Sequence, residues 1–180
     1  MEIRLRHSVL FVCLGNICRS PLAEGVFRAL AEEAGVADRL LIDSAGTGAW
    51  HAGNPPDPRS IAIAATYGID LSAQRARQVR ADDFSAFDTI VAMDGSNLST
   101  LKSRTGAGTA RIRLLLDNPA RDVPDPYYGG PDGFEQVYRL VRDGCEDFSR
   151  HGDLNRPDFR RCRTFIIPFH ALLYECLSRV

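Results

Sequence analysis

One hundred and eighty residues, 44% hydrophobic, 25% charged and with a formal net charge of -1, make a globular chain with apolar material for one core. The balance excludes the basic footprint of a nucleic-acid binder, and no run reaches the roughly 18 consecutive apolar residues of a membrane span. Five cysteines, an odd number with no C-x-x-C pair, exclude a secreted disulfide framework and a zinc finger, and the scattered histidines form no metal motif.

The first apolar run, Val9–Leu14, is six residues long and ends in Gly-Asn rather than at a small-residue cleavage site, so it is expected to be a strand (Ser8–Cys13) and not a signal peptide. A cytoplasmic protein is expected. The loop CLGNICRS follows. A helix is predicted after Ser20, with Ser20 as N-cap, Pro21 in the first turn and Gly35 as the stop. Leu22, Val26, Ala29 and Leu30 share one face of it, and Glu24, Arg28 and Glu32 share another at i, i+4 spacing. Leu40–Ser44 is a second strand, and the Gly/Pro-rich stretch Gly46–Pro58 a loop. Pro58–Tyr67 is a second helix with an Ile61/Ala65 stripe, stopped at Gly68.

Asp88–Met93 is a third strand, and Asp94 caps a helix through Leu98 and Leu101. Ile112–Leu116 is a fourth strand, Asp117–Gly133 a long loop, and Phe134–Phe148 a helix with Phe134, Val137, Val141 and Phe148 inward. The strands carry little polar alternation, as strands covered on both faces do. Strands alternating with helices predict a doubly wound α/β sheet, whose ligands bind beyond the carboxyl ends of the strands. Residues 1–150 make one domain, and 151–180 a terminal extension, weakly packed or partly disordered.

The loop after the first strand is a chemical device. Successive amides between a strand end and a helix N-terminus curl into an anion cradle, and the helix dipole adds positive potential. Gly15 opens backbone conformations closed to other residues, and Asn16 tolerates left-handed geometry. Arg19 supplies a planar fork for two phosphate oxygens. Cys13 lies at the floor, where the same donors favour its thiolate. The implied chemistry is phosphoryl transfer to sulfur. An ATP-type loop is excluded, because G-x-x-x-x-G-K-[ST] is absent.

CLGNICRSP (Cys13–Pro21), with SAGTGAW (Ser44–Trp50), RARQ (Arg75–Gln78), AMDGSNL (Ala92–Leu98) and DPYYGG (Asp125–Gly130), resembles the low-molecular-weight protein tyrosine phosphatases over Ser8–Arg150. The resemblance implies a single three-layer α/β domain. Its four-stranded parallel twisted sheet carries helices on both faces and a phosphate-binding loop between first strand and first helix. It also implies roles. Cys13 is the nucleophile that becomes a phosphocysteine. Arg19 and the loop amides of Leu14, Gly15, Asn16, Ile17 and Cys18 hold the phosphate. Asp125 is general acid, then general base. Ser20 steadies the sulfur, Asn16 and Ser44 fix the loop, and Trp50, Tyr127 and Tyr128 wall a slot for an aromatic ring. Cys18 forms a reversible disulfide with Cys13 that protects the nucleophile. The substrate is a phosphotyrosine protein or small aryl phosphate. No cofactor, metal, nucleic acid or membrane is involved, and the protein is a monomer.

Many relatives carry a histidine just ahead of the ARQ segment, where this chain has Gln74 and Arg75. Two other activities share the loop. Thioredoxin-coupled arsenate reductases need further cysteines in mid-chain, but none stands between Cys18 and Cys145. Protein arginine phosphatases typically carry Thr where this chain has Ile17, and the bulkier Ile17 favours phosphotyrosine.

Overall fold

The computed structural model describes residues 7–130 and 132–151. Strand β1 (His7–Cys13) is flanked by β2 (Leu40–Gly46) and β3 (Thr89–Ala92), with β4 (Arg111–Leu114) beyond β3, in the order β2-β1-β3-β4. All three pairings are parallel, with Cys13 opposite Gly46 and Val12 opposite Ala92. The chain runs from β1 to one side and then crosses to the other. The end of β1 is therefore the point where strand order reverses, the favoured ligand position in open α/β sheets.

Every residue of β1 is buried, and the strand's alternation divides the core in two. Val9 and Phe11 face helices α1 (Arg19–Glu33), α2 (Pro58–Thr66) and α5 (Gly133–His151). Leu10 and Val12 face a second cluster with Phe84 of the short helix α3 (Asp83–Ala86) and Leu101 of α4 (Gly95–Arg104). Helices on both faces of one sheet give the expected three layers. Phe27 of α1 ties its layer to the sheet, its ring 5.5 Å from Phe11 of the sheet and 5.4 Å from Phe148 of α5 in the same layer. Each such buried ring contributes about 1.5–3 kcal/mol.

Several local expectations hold. Gly35 and Gly68 stop their helices at φ 66° and 76°, Asp94 caps α4 through the Asn97 amide at 2.7 Å, and Phe134, Val137, Val141 and Phe148 face inward. Others are corrected. The fourth strand is Arg111–Leu114, and Leu116–Asp117 (β5) pairs instead with Ala120–Arg121 (β6) as a small antiparallel hairpin. Ser20 is not the cap of α1: the helix begins at Arg19 with Cys18 before it and no side-chain cap. The Ser20 hydroxyl is turned away from the helix amides, to the Cys13 sulfur and the Ala45 carbonyl. The buried face of α1 also takes in Ala23, Phe27 and Ala31 in place of Ala29, and Glu24 is buried as well. On α2 the buried residues are Ser60 and Ala64, not Ala65, because small side chains let this short helix pack closely on α1 and α5. The extension at 152–180 lies outside the described residues.

Candidate active site

The loop between β1 and α1 is built around Asn16, whose φ of 55° makes it the one non-glycine residue in left-handed geometry among the described residues. Its side chain makes three of the four hydrogen bonds open to it. The amide nitrogen donates to Ser20 Oγ and Ser44 Oγ, both at 2.9 Å, and the oxygen accepts the Arg77 amide at 2.9 Å. Ser44 Oγ in turn donates to Glu24 Oε2 at 2.8 Å. Asn16 is thereby tied to α1, to β2 and to the segment before α3. The expected pairing of Asn16 with Ser44 is present. Gly15 does not adopt positive φ; what its missing side chain provides is space, since a Cβ there would stand 3.0 Å from the His51 ring.

This scaffold aims donors at Cys13, which is 3% exposed. The Asn16 backbone N–H points at the sulfur at 3.3 Å, and Ser20 Oγ lies 3.1 Å from it. The end of β2 closes the floor. Thr47 and Gly48 amides donate to the Cys13 and Leu14 carbonyls, both at 2.9 Å. Any side chain at Gly46 would meet the Leu14 carbonyl at 2.9 Å.

Arg19, 3% exposed, spreads its fork between three acceptors. One nitrogen donates to Asp94 Oδ2 at 2.6 Å and to the Val123 carbonyl at 3.1 Å, and the other donates to Asp125 Oδ2 at 2.9 Å. Burial works against the charge, but Cys13, Asp94 and Asp125 outweigh it and raise the guanidinium's pKa above that of an ordinary arginine. Asp125 Oδ1 accepts the Tyr127 amide at 3.1 Å. The long loop after β4 thus delivers a carboxylate, more than a hundred residues away in sequence, to the cradle's edge.

Trp50, Tyr127 and Tyr128 are 73%, 39% and 94% exposed, with the two tyrosine rings edge to face at 4.8 Å. Large aromatic surfaces left in water are open to a ligand's ring. Cys18 is buried inside the loop, and its thiol is pushed up to about 12, first by burial and then by the charges of Asp57, Cys13 and Asp125. Gln74, where many relatives have histidine, donates to the Pro21 carbonyl at 3.2 Å and so supports the first turn of α1.

Cys13, Asn16, Arg19, Ser20, Ser44 and Asp125 therefore come together as expected. Three participants were not foreseen. Glu24 is the carboxylate beneath Ser44; it lies four residues after Ser20, on the same side of α1, which is the signal that would have found it. Asp94 grips Arg19 as well as capping α4, and its place directly after β3, the strand beside β1, was the clue. Asp57 donates its amide to the Ile17 carbonyl at 2.7 Å, a backbone contact with no sequence signature.

The family model for low molecular weight phosphotyrosine protein phosphatase matches residues 8–157. The low molecular weight protein-tyrosine-phosphatase YfkJ of Bacillus subtilis is 49% identical over 144 residues, 77% of this chain and 91% of its own. Its crystal structure superposes with a TM-score of 0.76 at 47% identity, covering 81% of this chain and 93% of that one. The crystal structure of DARP, a Drosophila arginine phosphatase, gives a TM-score of 0.74 at 36% identity over 81% of this chain and 97% of that one. On its fold, its loop and these matches, the chain belongs to the low molecular weight phosphotyrosine protein phosphatases.

Proposed function

We propose that the protein hydrolyses phosphotyrosine and related aryl phosphates in two displacements at Cys13. The Cys13 thiolate attacks phosphorus; the S–P bond forms as the P–O bond to the phenol breaks. The electron pair stays on the phenolic oxygen, which takes the proton of Asp125. The loop amides and Arg19 follow the equatorial oxygens as charge redistributes. Asp125, now a carboxylate, then removes a proton from water as the water oxygen attacks phosphorus. The S–P bond breaks, and sulfur leaves as thiolate toward the Asn16 amide and the Ser20 hydroxyl.

The observation that carries this reading is Arg19 held between the Cys13 loop and Asp125, at 2.9 Å from the carboxylate. A phosphate drawn to Arg19 is brought to nucleophile and acid together. Ile17, Tyr127 and Tyr128 support an aromatic substrate over phosphoarginine, the alternative raised by the arginine phosphatase among the structural neighbours. No helix among the described residues is long and apolar enough to cross a membrane. We further propose a monomeric protein of the cytoplasm, with 151–180 as an appendage to the phosphatase domain.

The test is hydrolysis of an aryl phosphate in EDTA by wild type, Cys13→Ser and Asp125→Ala, alongside phosphotyrosine and phosphoarginine peptides. Wild type should turn over the aryl and phosphotyrosine substrates without metal, and Cys13→Ser should be inert. Full activity in Cys13→Ser, or a strict metal requirement, would refute the mechanism. A preference for phosphoarginine would refute the substrate.

A further inference from the structure

The short stretch Asp57–Ser60 at the start of α2 touches both halves of the site. On one side it holds the nucleophile loop, the Asp57 amide donating to the Ile17 carbonyl at 2.7 Å and Ser60 Oγ to the Cys18 carbonyl at 3.4 Å. On the other side stands Arg59. Its guanidinium is fixed by the Asp57 carboxylate, Nε to Oδ1 at 2.9 Å and a terminal nitrogen to Oδ2 at 2.8 Å, a two-pronged pairing that sets the plane of the group. The remaining nitrogen donates to the Tyr127 carbonyl at 3.2 Å. The same group lies 4.5 Å from the Phe134 ring centroid and 5.4 Å from that of Tyr127, within reach of cation–π attraction.

Tyr127 is the residue whose amide holds Asp125 Oδ1 at 3.1 Å, while Arg19 holds Oδ2. Arg19 is also the phosphate's ligand. When a phosphate occupies the loop, it competes with Asp125 for the Arg19 fork, and the Tyr127 amide is the hold on the carboxyl that remains. Its position depends on Arg59. We infer that Arg59 is a positioning residue for the acid–base step: clamped by Asp57 to the nucleophile loop, it sets Tyr127 and, through the Tyr127 amide, the Asp125 carboxyl over the bound phosphate. The inference rests on the reading of Asp125 as the acid. A merely structural Arg59 would brace the Asp57 cap and stabilise α2, with no bearing on proton transfer.

The two roles separate in the dependence on leaving group. Nitrophenyl phosphate releases an acidic phenol that needs little protonation, whereas phenyl phosphate releases one with a pKa of about 10, like tyrosine. Arg59→Ala removes a side chain that borders an open cleft of about 550 Å³, so the core is not breached. In Arg59→Ala, kcat/KM should fall about tenfold on phenyl phosphate and less than about twofold on nitrophenyl phosphate. Arg59→Lys, which keeps the charge and loses the fork, should fall between. The ratio of the two substrates is independent of how much of a variant is folded. Asp125→Ala should show a steeper dependence, and adding Arg59→Ala to it should steepen it no further, because a residue acting through Asp125 has nothing left to position. Equal losses on both substrates, or a further steepening in the double variant, would overturn the inference alone. A flat series for Asp125→Ala would overturn the acid assignment, and the inference with it.

Discussion

Arg19 and Asp94 form the shortest ion pair in the site, 2.6 Å between guanidinium nitrogen and carboxylate oxygen, and the same Asp94 caps α4 through the Asn97 amide. One carboxylate thus fixes the phosphate-binding fork relative to the strand beside β1. An arginine so held has lost most of its rotamer freedom before a phosphate arrives, which is the pre-organisation electrostatic catalysis needs. Asp94→Asn separates the two roles. Asparagine is as good a cap as aspartate, but it carries no charge to hold Arg19. The expected result is a kcat/KM lowered about tenfold with a melting temperature close to wild type, checked by steady-state kinetics and thermal denaturation. Asp94→Ala should lose both, with stability down by about 1–2 kcal/mol for the cap alone.

Asn16 carries more of the loop's geometry than any other side chain in it. It pays for left-handed backbone at φ 55° with three side-chain hydrogen bonds. Asn16→Ala keeps the backbone cost of about 1–2 kcal/mol and loses bonds that contribute about 1 kcal/mol each. Asn16→Gly removes the backbone cost but not the loss of the bonds. Unfolding curves should therefore rank wild type above Asn16→Gly and Asn16→Gly above Asn16→Ala. Both variants should be slow phosphatases, since in both the amide aimed at Cys13 is no longer pinned. Equal stability of the Ala and Gly variants would show that the left-handed conformation is not what holds the loop.

Legibility in the sequence followed the range of the interactions. The first three strands, the stops at Gly35 and Gly68 and the cap at Asp94 are set by neighbours a few residues away, and a local pattern finds them. The cradle was legible because its parts are contiguous from Cys13 to Ser20. Ser20 was misread as a cap because its hydroxyl has two uses, and the choice is made by Cys13 and Ala45, which lie across the fold. The i, i+4 spacing of Glu24 and Arg28 was legible and the pair is real, at 2.9 Å, but Glu24's other partner, Ser44, comes from β2 and leaves no local pattern. The Asp57–Ile17 contact is between backbone atoms and leaves no trace in residue type. Asp125 was found through resemblance, since Asp-Pro otherwise marks a turn.

Glu24 makes a prediction about pH. Its carboxyl is raised above the ordinary glutamate range, chiefly by burial and further by the charge of Asp43, while hydrogen bonds from Ser44 and Arg28 work the other way. A carboxyl whose folded pKa exceeds its unfolded one favours folding most when it is protonated. Its contribution is intact below the unfolded pKa and is lost as pH rises through the folded one. Glu24→Gln has the same shape and never bears the buried charge. Relative to wild type, its melting temperature should therefore improve from pH 4 to pH 8. A constant difference across that range would mean that Glu24 is not titrating where burial places it.

Cys18 makes a prediction about oxidation. Peroxide converts the Cys13 thiolate to a sulfenic acid. Closing the Cys13–Cys18 disulfide then requires Cys18 sulfur to attack Cys13 sulfur, with hydroxide leaving and the Cys18 proton lost to solvent. The thiolate is the attacking form, and with a pKa of about 12 Cys18 holds its proton at neutral pH. Oxidation removes the negative charge on Cys13, one of the causes of that raised value, so the first oxidation itself eases the second step. Burial and Asp57 remain, and closure should be base-promoted. With a limiting dose of peroxide, mass spectrometry should find the disulfide formed faster at pH 9 than at pH 7, by up to about a hundredfold. Activity should return with a thiol reductant. In Cys18→Ser, peroxide in excess of the further equivalents that these steps consume should carry Cys13 on to sulfinic and sulfonic acid, with activity beyond recovery, whereas wild type given the same excess should recover. If wild-type Cys13 over-oxidises as fast as it does in Cys18→Ser, Cys18 has no protective role, and its burial beneath the loop is packing alone.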